Sequence, residues 1–229
     1  MFFYGYYDLL LLIIPLLIGI WAQAKISRAF HKYSRVQGGR GYTGARAART
    51  ILDRNGLLHV RVERAQGHLS DHYDPRTNVV RLSPGVYDSA SVAAVGIAAH
   101  ECGHAIQHAE GYAPMKLRSA IIPVTSIGSR LSVPLVLLGL FLNSGPLMAV
   151  GLIGYFLVAL FQLVTLPVEF NASASALAII GETSMLSEDE QAGAKKVLTA
   201  AALTYVAALL TSVTQLLRIL LIYGNRRRR

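Results

Sequence analysis

The chain has 229 residues, 53% of them hydrophobic, and a formal net charge of +9. The apolar residues come in long blocks, which points to an integral membrane protein and away from a soluble domain. The positive charge comes with no nucleic-acid motif, so anionic lipid is the expected partner; the single cysteine, Cys102, excludes an intrachain disulfide and fits a reducing compartment.

Leu9–Ala22 is the first apolar block. Tyr4, Tyr6 and Tyr7 before it suit one membrane interface and Trp21 the other. No basic residue precedes it, so it reads as an uncleaved anchor rather than a secretory leader, with Pro15 as a possible kink. Lys25, Arg28, Lys32, Arg35 and Arg40 follow, either binding anionic lipid or forming a solvated positive flank. Thr43 is placed to cap a short helix ending at Asn55-Gly56. His59–Glu63 alternates like a strand. His68–Tyr73 and Asn78–Leu82 flank the turn Asp74-Pro75-Arg76-Thr77, which predicts a β-hairpin. Ser89 or Ser91 then caps a helix running to about Ala109.

Ile121–Leu142 and Leu147–Leu166 read as a transmembrane hairpin around Asn143-Ser144-Gly145-Pro146. Arg130 interrupts it: it snorkels, lies inside the protein, or moves the span's start to near Ser132. Ser187 with Glu188-Asp189-Glu190 reads as a helix start. Val197–Tyr223 is the fourth block. Its stripe of Thr199, Thr204, Thr211, Ser212, Thr214, Gln215 and Arg218 suits packing on other helices or lining a wet cavity. The expected organisation is an anchor (1–22), an α+β region (23–120), a membrane hairpin (121–166), a further segment and helix (167–196), and a last helix with a basic tail (197–229). The fold class is mainly α: a multi-span helical membrane protein with a small α+β region.

Four spans place 23–120 and 167–196 on one side of the membrane. That first region carries 14 Lys and Arg residues, which favours the cytoplasm, although Arg226–Arg229 argue the other way.

The chemistry lies in His100-Glu101-Cys102-Gly103-His104, an H-E-x-x-H motif in an apolar helical stretch. Residues i and i+4 share a helix face, so His100 and His104 can hold one zinc ion with Glu101 as general base. The α+β region 23–120, with this helix and the hairpin, is therefore expected to be a zincin-like catalytic region. Cys102 points about 200° around the helix from His100 and reads as a small buried residue. A catalytic zinc takes a third protein ligand. His108 continues the series but lies about 12 Å along the axis from His100, too far to share one ion. It reads as helix surface or an outer contact of the site. Glu169 is the better candidate, because the membrane hairpin returns the chain to the motif's side and an acidic residue at a span's end needs a partner. The competing reading of Glu169 is an exposed carboxylate at a helix start.

The runs Asp71-His72-Tyr73-Asp74-Pro75-Arg76, Arg81–Pro84, Ala98–His108 and Pro167–Ser173 resemble the YugP-like membrane zinc metallopeptidases, over nearly the whole chain. The resemblance implies His100 and His104 as ligands, Glu101 as catalytic residue and one zinc per chain. A wider likeness, to membrane gluzincins such as the CAAX prenyl proteases, implies Glu169 as third ligand. Those enzymes carry Glu-x-x-x-Asp, whereas this chain has Glu169-x-x-x-Ser173. The Asp that would orient the first His is replaced, and Asn171 and Ser173 are the candidates for its role. The expected activity is hydrolysis of peptide bonds in peptide or protein substrates, by a zinc-activated water with Glu101 moving the proton. His72, Tyr73 and His108 are the candidate oxyanion donors, and the hairpin is placed to bind substrate as an added strand. The alternative is a non-catalytic, zinc-stabilised membrane scaffold or adaptor.

Overall fold

The computed structural model describes residues 2–67 and 70–227. The side chains of Tyr4, Tyr6 and Tyr7 lie outside the described residues. So do Arg228 and Arg229 of the basic tail, and His68 and Leu69 of the expected first hairpin strand. Elements run α1 (Phe2–Tyr33), α2 (Gly44–Arg54), β1 (Arg61–Arg64), β2 (His72–Asp74), β3 (Val79–Leu82), α3 (Pro84–Tyr87), α4 (Val92–Ala109), α5 (Ala113–Phe141), α6 (Gly145–Thr183) and α7 (Glu188–Arg227). The chain is mainly helical, as expected. Leu9–Tyr33, Ala113–Phe141, Gly145–Thr183 and Glu188–Gly224 are four helices long and apolar enough to cross a membrane.

Local signals set several boundaries. The Thr43 hydroxyl accepts from Arg46 N at 3.2 Å and starts α2. Of the two serines before the motif helix, Ser91 is the cap: its hydroxyl accepts from Ala94 N, and Ser89 donates to it from behind. At the other end of α4, Gly111 adopts φ +68°, Gly111 N donates to the His108 carbonyl and Tyr112 N to that of Gln107. This Schellman closure stops the helix at Ala109. Ser187 and Glu190 form a reciprocal capping box, Ser187 N donating to Glu190 Oε2 and Glu190 N to Ser187 Oγ.

The apolar helices run well beyond the expected spans. Pro15, Pro123, Pro134 and Pro167 all lie inside continuous helices. Each removes one backbone donor, a local loss that long apolar helices tolerate. Pro167 does not end the third span; α6 passes through it to Thr183.

The chain forms two compact units. One comprises the described residues of Met1–Gln23, Leu117–Leu166 and Thr204–Arg229. Here α5 and α6 meet through small residues. A Cβ at Gly151 would stand 2.8 Å from the Ser132 carbonyl oxygen, so only glycine permits the approach. Leu16, Leu17, Ile127, Leu137 and Ile153 are exposed, as lipid-facing residues are.

The other unit comprises Ala24–Lys116 and Pro167–Leu203. Its sheet has the order β1-β3-β2. The hairpin is present: β2 and β3 pair antiparallel, with Tyr73 opposite Val80. Between them the Asp74 carboxylate accepts from Arg76 N and from the Thr77 hydroxyl, and Asn78 closes the turn at φ +51°. β1 lies parallel to β3 with Arg61 opposite Val79. Under the sheet, α4 packs on α2 with Ala47, Ile51, Leu52, Val80, Leu82, Val95, Ala98, Ala99 and Cys102 fully buried.

Candidate metal centre

α4 carries the motif, and the small residues around it govern how near other elements come. A Cβ at Gly103 would stand 2.7 Å from the Ala172 carbonyl oxygen. The backbones of α4 and α6 therefore touch within the motif itself. This contact brings Glu169, mid-helix on α6 and only 2% exposed, onto the face of α4 that bears His100 and His104. Glu169 is thus not the exposed helix-start carboxylate of the competing reading.

Glu169 Oε2 lies 3.3 Å from His100 Nε2 and 3.7 Å from His104 Nε2. One ligand atom from each residue falls within 4.8 Å of the others, a group able to hold a metal ion. Two donors each about 2.1 Å from one tetrahedral ion stand about 3.4 Å apart. The two measured edges bracket that value, and the set of two imidazoles and a carboxylate is one that zinc accepts.

The far ring nitrogens are also held. Gln107 Nε2 donates to the Val168 carbonyl at 2.8 Å and to Asn171 Oδ1 at 2.7 Å. A carbonyl can only accept, so the amide orientation is fixed and Gln107 Oε1 faces His104 Nδ1 at 3.0 Å. His104 must donate from Nδ1, which leaves the lone pair of a neutral ring on Nε2, toward Glu169. Ser173 Oγ lies 3.1 Å from His100 Nδ1 and serves the first His in the same way. Ser173 thus meets the first His, while Asn171 acts through Gln107. Gln107 was not singled out from sequence; the available signal was an amide three residues after His104, on the helical turn that follows the motif.

Glu101 is buried, near enough to His104 for its charge to act on that imidazole. Burial would push His104 down, but contact with Glu169 and the charge of Glu101 outweigh it, and the imidazole is raised. Burial pushes the Cys102 thiol up, and its sulfur faces the Ala48 carbonyl of α2 at 3.5 Å, away from the centre. His72 is exposed, with Nδ1 against the Ser70 carbonyl. Tyr73 is buried, and its hydroxyl contacts Asn78 and His108. His108 is exposed one helical turn beyond His104.

Residues 8–224 match the model of a family described as "Putative neutral zinc metallopeptidase". The chain is 48% identical over 210 residues to the "Putative membrane protease YugP" of Bacillus subtilis (strain 168), covering 92% of this chain and 93% of that protein. No solved structure matches it. With that match running from before the first apolar block to the end of the last, the chain belongs to the neutral zinc metallopeptidase family so described.

Proposed function

We propose that this protein is a multi-pass membrane zinc endopeptidase in which His100, His104 and Glu169 hold one zinc ion and Glu101 is the general base. The observation that carries the reading is the convergence of two Nε2 atoms on one carboxylate oxygen, at 3.3 and 3.7 Å, with a buried carboxylate between the two histidines in sequence. A zinc ion held there would supply an acidified water and polarise the substrate carbonyl. Glu101 would take a proton at its carboxylate from the attacking water and give it to the departing amine. Gln107 and Ser173 keep the imidazoles turned with Nε2 inward. Asn171 supports Gln107. β2 is an outer strand packed beside α4, so its free edge suits an extended peptide added as a further strand. His72 is exposed and is retained as the candidate donor to a developing oxyanion. The site is assigned to the cytoplasmic side on the weight of Lys25, Arg28, Lys32, Arg35 and Arg40, which also suit anionic lipid.

A structural zinc site has no use for a carboxylate between its ligands. The test is therefore a pair of variants, with zinc measured by mass spectrometry and hydrolysis on a labelled protein substrate. Glu101→Gln is expected to keep about one zinc per chain and lose cleavage. Glu169→Ala is expected to lose both. Glu101→Gln cleaving like wild type would remove the proposed base. Zinc-loaded wild type that hydrolyses nothing would leave the scaffold reading.

A further inference from the structure

Tyr73 places its ring in the core, and its hydroxyl lies 2.9 Å from Asn78 Oδ1 and 2.8 Å from His108 Nδ1. A phenol carries one proton. It goes to Asn78 Oδ1, which can only accept. His108 Nδ1 is then the donor to the Tyr73 oxygen, and the lone pair of the neutral ring is on Nε2. Burial, then the charge of Asp74, holds the Tyr73 phenol up at about 12, so the hydroxyl keeps its proton throughout the neutral range.

The fold itself requires none of these polar atoms. Position 78 needs a residue that tolerates φ +51°, which glycine does at least as well. Position 73 needs an aromatic ring in the core, and position 108 is an exposed helix site. Together they orient one exposed imidazole on the face of α4 that carries His100 and His104. The step from His104 to His108 is about 6 Å along the helix. An extended peptide advances about 3.3 Å per residue, so His108 stands about two substrate residues from the ligand cluster.

We propose that His108 Nε2 accepts a main-chain N–H of a bound peptide about two residues from the scissile bond. Tyr73 and Asn78 are positioning residues that hold the ring and its tautomer for that contact. The proposal rests on the peptidase reading above. It also removes Tyr73 and His108 from the oxyanion donors, because the Tyr73 proton is committed to Asn78 and His108 Nε2 carries a lone pair.

The test is a double-mutant cycle on the full chain in detergent micelles, with fluorescein-labelled β-casein as probe and zinc content measured in parallel. Tyr73→Phe keeps the buried ring and His108→Ala changes an exposed site, so both should fold. Each single variant is expected to raise KM about tenfold at unchanged kcat and unchanged zinc. The double variant should be no worse than either single one, because Tyr73 acts only through His108. Wild-type KM in either single variant, a loss in kcat instead of KM, or a double variant showing the product of the two losses would overturn the proposal. A wild type that holds no zinc or cleaves no casein sinks the peptidase reading, and this contact with it.

Discussion

Gly103→Ala tests whether the meeting of α4 and α6 builds the metal centre. The added Cβ would stand 2.7 Å from the Ala172 carbonyl oxygen and 3.1 Å from its Cα. Both are backbone atoms, so nothing can rotate aside, and the helices must part by about half an ångström. The motion acts on the bonds that straddle the contact. Gln107 Nε2 sits 2.8 Å from the Val168 carbonyl, and half an ångström takes that bond to the limit of useful geometry. The 3.7 Å edge between His104 and Glu169 opens beyond what one tetrahedral ion spans. Overpacking costs about 1–3 kcal/mol, and alanine returns up to about 1 kcal/mol of helix propensity. The net loss of about 1–2 kcal/mol lowers Tm by about 2–8 °C. Zinc affinity should fall about 10–100-fold, the range seen when the support of a ligand is disturbed. Gly96→Ala is the matched control on the same helix: its Cβ would meet Ala194 Cβ at 3.3 Å and Ala194 Cα at 3.7 Å, a looser approach than at Gly103. The assays are thermal unfolding with and without zinc, and zinc competition against a chelator. If Gly103→Ala melts no lower than Gly96→Ala and binds zinc like wild type, the close approach does not build the site.

Gln107→Leu leaves His104 Nδ1 and the Val168 carbonyl without their partner, so zinc affinity should drop about 10–100-fold in the same competition assay. Ser173→Asp offers His100 Nδ1 a carboxylate acceptor and should tighten zinc, whereas Ser173→Ala should weaken it. Hydrogen bonds from Thr77 and from Arg76 N hold the Asp74 carboxyl down at about 2. Its folded value lies below its unfolded one, so its contribution to stability is complete above about pH 4 and is lost as pH falls toward 2. An acid titration of Tm should therefore be shallower for Asp74→Asn across that window. Cys102 is fully buried with its thiol pushed up, so maleimide should label it only on unfolding; labelling of the native chain would contradict that packing.

Features governed by neighbours in sequence were the legible ones. The i, i+4 histidines, the caps at Thr43, Ser91 and Ser187, and the turn at Asp74–Asn78 each depend on a few consecutive residues. Glu169 was reachable by one topological step, the return of a membrane hairpin. What stayed hidden depends on distant pairing. No local pattern says that β1 lies parallel to β3, nor that the Gln107 amide reaches α6 while facing His104. The helix ends beyond the apolar blocks were missed for another reason. Hydropathy marks the part of a helix that suits lipid, whereas α1 runs past Ala22 to Tyr33 and α6 past Leu166 to Thr183. Pro167 lies inside that continuation and costs the helix one donor.

The continuity of α6 through Pro167 gives that helix more length than a bilayer needs. Its 39 residues extend about 58 Å at 1.5 Å each, against about 30 Å for the hydrocarbon core of a bilayer. A helix of that length crossing upright leaves almost half of its turns outside hydrocarbon. The same backbone ladder then has to serve two solvents, and a proline within it costs one donor rather than a break.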